Sequence, residues 1–162
     1  MVTLSDEYWM EVALEEAHIA KSKDEVPVGC VIVKQDKLLA RCHNLRETLC
    51  DPTAHAEILA LREACRKMQS WRLCGCVVYV TLEPCVMCTG ALVQARVDTV
   101  VFGCTDPKAG CCGSVHQLAF DAGFNHDFTI RQGILAEKSA TLLKYFFREK
   151  RIAKKAQKKS VF

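Results

Sequence analysis

Between residues 77 and 103 the sequence places one helical segment between two short apolar segments, and this order constrains the fold more than any other feature. Residues 77–82 are apolar throughout and rich in β-branched side chains, which is typical of a strand buried on both faces. Pro84 predicts the start of a helix that runs to about Arg96, and residues 99–103 repeat the strand pattern. A crossover of this length indicates that the two strands are parallel and that helices pack on the sheet.

The segments before this unit predict two helices and a hairpin. Ser5 is a suitable cap for a first helix with an acidic first turn. Residues 30–33 and 38–42 are apolar runs that predict two antiparallel strands. The Asp-Pro-Thr run at residues 51–53 supplies a cap and a first-turn proline for a second helix, which we expect to end near Gln69.

Polar loops are predicted at residues 43–51 and 104–114, and the second of these contains two glycines, one proline and three cysteines. A short strand near residues 128–131 and a long helix from about Glu137 complete the chain. The order of elements predicts an α/β domain with three layers, α/β/α, around a mixed five-stranded sheet.

Length, cysteine content and charge narrow the class of protein. The chain of 162 residues, with 50% hydrophobic residues, predicts a single domain over residues 1–162 with a basic helix or tail at about 148–162. Eleven cysteines, an odd number, with no secretory or membrane-spanning stretch predict a reducing cytoplasmic location. The net charge of +3 is uneven, because residues 148–159 carry seven Lys or Arg against one Glu. This end of the chain is expected to attract a polyanion.

Candidate metal ligands are concentrated in two runs at predicted helix starts, His-Ala-Glu at residues 55–57 and Pro-Cys-Val-Met-Cys at residues 84–88. Cys85 and Cys88 are three residues apart, so they share a helical face, and the helix dipole favours their thiolate form. His55 adds a nitrogen donor. One nitrogen and two sulfur donors fit zinc better than magnesium or calcium, and three protein ligands leave a fourth position for a water that zinc activates.

Glu57 is predicted to carry protons rather than to bind the metal. A Cys-x-x-Cys pair alone also fits a redox disulfide or half of a structural zinc site. The other close cysteines, 74 with 76 and 111 with 112, lack the ligand spacing of a closed four-cysteine site. The combination of His-x-Glu with Pro-Cys-x-x-Cys is the signature of zinc deaminases that act on nucleobases, and it favours a catalytic zinc site.

Four stretches give the chain a resemblance to a known family: Val-Pro-Val-Gly at 26–29, Asp-Pro-Thr-Ala-His-Ala-Glu at 51–57, Thr-Leu-Glu-Pro-Cys-Val-Met-Cys at 81–88 and Phe-Phe-Arg at 146–148. From Tyr8 to Lys159 the chain resembles the bacterial tRNA-specific adenosine deaminases, which convert the wobble adenosine of a tRNA anticodon to inosine. The resemblance implies a cytidine deaminase-like fold, one Zn²⁺ per subunit on His55, Cys85 and Cys88, and a homodimer. It also assigns general acid and base catalysis to Glu57.

Contacts with the anticodon stem-loop are also implied by the resemblance. Asn44 would hydrogen-bond the flipped base, and Asp106 and Lys108 would contact the anticodon loop. Phe147 would stack on a base, and Arg148 would pair with phosphate. From the residues alone, Asn44 is better explained as a loop-turn residue, and the alternative for Asp106 is a turn residue ahead of Pro107. A further set of cations could contact phosphates or form a solvated, frayed helix end: Lys150, Arg151, Lys154, Lys155, Lys158 and Lys159.

The chain departs from the family pattern mainly at four positions where small residues such as Ala are common in the family: Cys30, Cys104, Cys111 and Cys112. The last three lie in a loop predicted to border the site, where they could bind stray metal or oxidise. Three alternatives remain. A deaminase of a free nucleobase or nucleoside, such as guanine or cytidine, would use the same zinc site. The other two are a non-catalytic zinc protein and a thiol redox protein with a disulfide at the Cys-x-x-Cys pair.

Overall fold

The computed structural model describes residues 4–120 and 123–159, which form a five-stranded sheet between layers of helices. The strands are β1 (Gly29–Lys34), β2 (Lys37–His43), β3 (Cys76–Leu82), β4 (Thr99–Cys104) and β5 (Thr129–Gln132). Their order across the sheet is β2-β1-β3-β4-β5. Strand β1 is antiparallel to both neighbours, whereas β3, β4 and β5 are parallel. The predicted mixed sheet is therefore confirmed.

Helices cover both faces of this sheet. They are α1 (Asp6–Ser22), α2 (Arg46–Leu49), α3 (Ala56–Met68), α4 (Val86–Gln94) and α5 (Ala136–Lys159), with a short 3-10 helix at Leu118–Phe120. Alternate strand residues face opposite layers: Val31 packs with Trp9 of α1, and Ile32 packs in the cluster that contains Ala60 of α3. Helix α5 lies beside α1, and Lys21 pairs with Glu149 at 3.5 Å. The three-layer α/β/α prediction is confirmed.

The helix that carries His55 begins later than predicted. Asp51 Oδ1 accepts hydrogen bonds from the N–H and the hydroxyl of Thr53 at 2.8 and 2.7 Å, so residues 51–53 form a local turn instead of a helix cap. Helix α3 starts at Ala56, with His55 as its N-cap, and ends at Met68 as expected. The predicted polar loop at 43–51 also contains the short helix α2.

Position 29, where β1 begins, requires glycine because a side chain there would collide with α1. A Cβ atom at this position would lie 1.9 Å from the carbonyl oxygen of Ala13 and 2.7 Å from the nitrogen of Ala17. The N–H of Gly29 donates to Thr81 Oγ1 at 3.2 Å, which ties this end of β1 to β3. The close approach accounts for the glycine in the run at 26–29.

The described residues 4–120 and 123–159 include no helix with the length and hydrophobicity needed to cross a membrane. Helix α5 is long enough but strongly cationic towards its end.

Glu16 is a buried residue of α1 that holds this helix to β2. Its carboxylate accepts hydrogen bonds from Arg41 Nε at 2.6 Å and from His43 Nδ1 at 2.7 Å. Burial opposes ionisation, but the bonds from His43 and Arg41 outweigh it and lower the pKa of Glu16 below its ordinary value. The neighbouring Glu15 is exposed and contacts the same Arg41 at 3.2 Å.

We expect Glu16→Gln to lower the free energy of unfolding by about 2 kcal/mol at neutral pH, because two charge-assisted hydrogen bonds are weakened. A carboxyl group whose pKa is lower in the folded state stabilises the fold at pH values above its unfolded-state pKa. This contribution is lost as the pH falls through the folded-state pKa. The substitution should therefore also flatten the acid side of the stability profile, measured by denaturant unfolding. Glu15→Gln is the matched control, with an expected change below about 0.5 kcal/mol. Equal effects of the two substitutions would contradict this account.

Candidate active site

Three potential metal ligands meet where two helices begin. His55 is the N-cap of α3, Cys85 is the N-cap of α4, and Cys88 lies in the first turn of α4. Their donor atoms all lie within 4.8 Å of one another. Within residues 4–120 and 123–159, this is the one group of three such donors close enough to hold a metal ion. The fold therefore joins the two runs that carry the sequence motif.

The distances between the donor atoms fit a tetrahedral metal. His55 Nδ1 lies 3.5 Å from Cys88 Sγ and 3.7 Å from Cys85 Sγ. Metal–nitrogen and metal–sulfur bonds of about 2.0 and 2.3 Å at a tetrahedral angle would place these atoms roughly 3.5 Å apart. The residues could therefore hold a four-coordinate metal ion without a large rearrangement and would leave one position for another ligand.

Hydrogen bonds within this group already favour a thiolate. The bond from Cys88 and the bond with His55 lower the pKa of Cys85 to about 3. The same bond to Cys85, together with burial, holds the pKa of Cys88 well above its ordinary value. The bond with Cys85 also raises the pKa of His55. Metal ligands bind in their deprotonated forms, so a bound cation would displace the protons that these three groups share.

Glu57 lies in the first turn of α3 beside these ligands. It is 4% exposed, and its negative charge helps to raise the pKa of the neighbouring Cys88 thiol. Burial raises the pKa of Glu57 to about 7, against the smaller opposing effects of its own backbone N–H and of His55. A carboxyl group with a pKa near neutrality can take up and release a proton under physiological conditions.

The ligand group opens onto a cavity of about 760 Å³, a size typical of small-molecule sites. His55, Glu57 and Cys85 line this cavity together with the apolar side chains of Val26, Val28 and Leu82. The cavity therefore combines potential metal ligands and a buried carboxyl group with a mainly apolar surface.

Four of the five predicted substrate contacts lie on the wall of this cavity: Asn44, Asp106, Lys108 and Phe147. Asn44 is 4% exposed, whereas Phe147 is 44% exposed. Asp106 also forms the turn that the sequence suggested, because its Oδ1 accepts hydrogen bonds from the N–H groups of Lys108 and Ala109. Arg148 is exposed and does not line the cavity, while Arg151, one turn further along α5, does.

The other described cations of the predicted basic tail do not line the cavity. Lys154 and Lys155 are exposed, and Lys150 pairs with Asp24 near the end of α1. The side chains of Lys158 and Lys159, and all of residues 160–162, lie outside the described part of the structure. Arg46 and Lys144 add two cations to the cavity wall that the sequence did not suggest.

Two buried carboxylates were also given no role by the sequence analysis: Glu83, which lines the cavity, and Glu25, which does not. Glu83 accepts hydrogen bonds from the N–H groups of Asp106, Cys112 and Ser114 at 2.9, 3.0 and 3.0 Å. Burial opposes ionisation of Glu83, but these bonds and one from the Ser114 hydroxyl lower its pKa. For Glu83, the signals in the sequence were its position directly after a buried strand and within the stretch at 81–88.

Cysteines in the loop near the site are less accessible than their positions suggested. Cys104 ends β4 and lines the cavity, and Cys111 and Cys112 are each 2% exposed and do not line it. Burial raises the pKa of all three thiols, which lowers their reactivity. Every cysteine of the chain is free, including Cys85 and Cys88.

A three-layer α/β/α fold with one histidine and two cysteines at adjacent helix starts beside a buried glutamate defines a deaminase of the cytidine deaminase-like class. A model of the MafB19-like deaminases matches residues 4–151. The tRNA-specific adenosine deaminase of Bacillus subtilis is 48% identical over 156 residues, which cover 96% of this chain and 97% of that protein. The chain belongs to the family of tRNA-specific adenosine deaminases.

Two further comparisons agree with this assignment. The tRNA-specific adenosine deaminase of Aquifex aeolicus is 45% identical over 88% of this chain and 95% of its own length. A solved structure from work on A-to-I editing by tRNA deaminases at the wobble position of transfer RNA superposes with a TM-score of 0.82. It is 40% identical, and the match covers 84% of this chain and 99% of that one. The predicted cytidine deaminase-like fold is confirmed.

Proposed function

We propose that this deaminase converts adenosine to inosine at the wobble position of a tRNA anticodon, with one Zn²⁺ per subunit. The observation that carries the proposal is the single cavity in which the His55, Cys85 and Cys88 group, Glu57 and a rim of polar, cationic and aromatic side chains meet. The names of the relatives support the same substrate. A tRNA substrate would place the protein in the cytoplasm.

Zinc is the metal that this donor set fits best. Two thiolates and one imidazole are softer ligands than those preferred by magnesium or calcium. When bound, zinc would activate a water molecule for attack on C6 of adenine. His55, Cys85 and Cys88 would hold the metal at the floor of the cavity, beside the Glu57 carboxyl group.

Glu57 is the proposed proton carrier of the reaction. It would take a proton from the attacking water, deliver it to a ring nitrogen of the base and then protonate the departing amine. Water adds and ammonia leaves, so adenosine becomes inosine without a redox change. The buried position of Glu57 beside the proposed ligands suits this role, because a positioned carboxyl group can act as base and then as acid.

Residues of the cavity rim are the proposed RNA contacts. Asn44 would hydrogen-bond the flipped base, and Asp106 and Lys108 would contact neighbouring nucleotides of the anticodon loop. Phe147, partly exposed on the rim, offers a face for base stacking. Arg148 is exposed outside the cavity, so its proposed contact is a phosphate of the flanking stem or loop.

Loss of the Phe147 ring is expected to weaken binding of an anticodon stem-loop roughly tenfold, because stacking on one base contributes about 1–3 kcal/mol. The measurement is fluorescence anisotropy of a labelled stem-loop with wild type and Phe147→Ala. Tyr145→Ala is the control, since Tyr145 is an exposed aromatic of the same helix that lines a different groove, between α1 and α5. Similar losses in both variants would argue against a stacking role for Phe147.

The proposed substrate is tested by offering the zinc-loaded protein an anticodon stem-loop with adenosine at the wobble position, beside free adenosine, cytidine and guanine. Inosine in the stem-loop alone is the expected result. Conversion of a free base or nucleoside instead would assign the same site to a small-molecule deaminase. Absence of all four reactions would support a metal site with a purely structural role.

A homodimer is the proposed assembly. Helices α3 and α4 carry a groove of about 430 Å³ that includes Ile58, Leu61 and Trp71, and the Trp71 side chain is 58% exposed. Val86, at the start of α4, is 64% exposed. A second copy of the chain could cover these apolar side chains. Sedimentation should then give twice the 18.1 kDa chain mass, whereas a monomer at micromolar concentration would contradict the proposal.

A further inference from the structure

Glu25 is a fully buried carboxylate that stands behind the cavity wall. It follows α1, is 0% exposed and does not itself line the cavity. Its Oε2 accepts hydrogen bonds from Asn44 Nδ2 and from the N–H of Glu47, both at 3.2 Å. Its Oε1 accepts from the N–H of Thr48 at 2.6 Å. One side chain therefore holds both Asn44 and the first turn of α2.

The ionised form of Glu25 is the one that these contacts favour. Burial opposes ionisation, but the bonds from Thr48 and Glu47 outweigh it and lower the pKa of Glu25. A carboxylate can only accept hydrogen bonds. The Asn44 amide must therefore turn its NH₂ group towards Glu25 and its Oδ1 atom away.

Asn44 is thus left with a free acceptor at the cavity. Its backbone N–H donates to the carbonyl oxygen of Val28 at 3.1 Å, and its Nδ2 is held by Glu25. Among the described residues, no hydrogen bond to Asn44 Oδ1 is present. Because Asn44 lines the cavity while Glu25 does not, the carboxylate acts on the cavity only through its neighbours.

We propose that Glu25 is a positioning residue that fixes the side-chain amide of Asn44, so that the substrate base meets a hydrogen-bond acceptor at this wall. The inference rests on the proposed function, in which Asn44 contacts the flipped base. A neutral amide at position 25 could donate as well as accept, so the Asn44 amide would no longer have one preferred orientation.

The kinetic test compares wild type, Glu25→Gln, Asn44→Ala and the double variant on the anticodon stem-loop, with kcat/KM as the readout. Glu25→Gln should lower kcat/KM by about tenfold, as expected when one substrate hydrogen bond is misaligned. In the Asn44→Ala background, Glu25→Gln should lower kcat/KM by less than about twofold, because the side-chain amide that it positions is absent. Equal costs in both backgrounds would overturn the proposal.

Glu83→Gln is the matched control for this cycle. Glu83 is also a buried carboxylate, and unlike Glu25 it lines the cavity, but its hydrogen bonds reach Asp106, Cys112 and Ser114 and not Asn44. Glu83→Gln should therefore lower kcat/KM by the same factor with and without the Asn44 side chain. A general loosening of the fold would instead make the Glu25 and Glu83 variants behave alike.

A reciprocal exchange covers the case in which Glu25→Gln alone folds poorly. Asn44→Asp places two carboxylates together and should lower activity more than Asn44→Ala. Combining it with Glu25→Gln restores one donor facing one carboxylate, so the double variant should be at least about fivefold more active than Asn44→Asp. A double variant no better than Asn44→Asp would overturn the proposal.

The orientation of the amide can also be observed without a substrate. In ¹⁵N NMR spectra, the side-chain NH₂ signal of Asn44 is identified by its absence from Asn44→Ala. One of its protons should exchange slowly in wild type and rapidly in Glu25→Gln. Unchanged exchange would contradict the role of Glu25, whereas failure of wild type to convert the stem-loop would contradict only the proposed substrate.

Discussion

Replacement of Glu57 by glutamine is expected to lower the rate of inosine formation by at least about 10²-fold while zinc remains bound, since general acid and base catalysis contributes about 10²- to 10⁴-fold. The substitution keeps the size of this buried side chain but removes its ability to carry a proton. His55, Cys85 and Cys88 are unchanged, so the metal content should stay at one per chain. Single-turnover kinetics and metal analysis of the same preparation measure both quantities.

Glu63→Gln provides the control for this experiment. Glu63 lies on the same helix, is partly exposed and contacts Lys67 and Cys42 outside the cavity. Its activity should remain within about twofold of wild type, as expected of a surface substitution. A Glu57→Gln enzyme within tenfold of wild type would contradict the proposed role, and loss of zinc from it would give Glu57 a structural role instead.

Replacement of Cys88 by alanine is expected to remove both the metal and the activity. Cys88 is 0% exposed, and its Sγ lies 3.5 Å from His55 Nδ1, within the group of three potential ligands. Two remaining ligands would hold zinc much more weakly. Activity should fall to the background rate, and added zinc should not restore it. Metal analysis after dialysis and inosine assays measure the two losses.

The matched control is Cys112→Ala. Cys112 is equally buried and contacts Thr89 of α4, but it does not belong to the ligand group. It should keep its zinc and most of its activity, with only the modest cost of a smaller core side chain. Loss of zinc from Cys112→Ala, or its retention by Cys88→Ala, would show that the ligands have been assigned wrongly.

The site could be predicted from the sequence as far as its residues are close along the chain. Cys85 and Cys88 share a helix turn. The single strand between the two motif runs, β3, lies in the centre of the sheet, and both helices start at the same end of it. The predicted start of α3 was wrong because Asp51 accepts hydrogen bonds from Thr53 and forms a local turn, which competes with helix capping.

Contacts between distant residues left no comparable signal. Glu25 reaches Asn44 across 19 positions, and Glu83 reaches Ser114 across 31, with no periodic pattern to connect them. The sequence also could not show which face of α5 carries Arg148, because that depends on how the helix packs. Phe147 and Arg151 are four residues apart on the face of α5 that borders the cavity, and Arg148 lies about 100° away from Phe147 around the helix.

The central claim is that this cavity deaminates adenosine at the wobble position of a tRNA anticodon. The most direct test incubates the zinc-loaded protein with two stem-loops that differ only in whether the adenosine occupies the wobble position or the adjacent position, followed by nucleoside analysis of the digested RNA. We expect inosine from the first stem-loop and almost none from the second. Equal conversion of both, or of neither while a free nucleoside is deaminated, would contradict the claim.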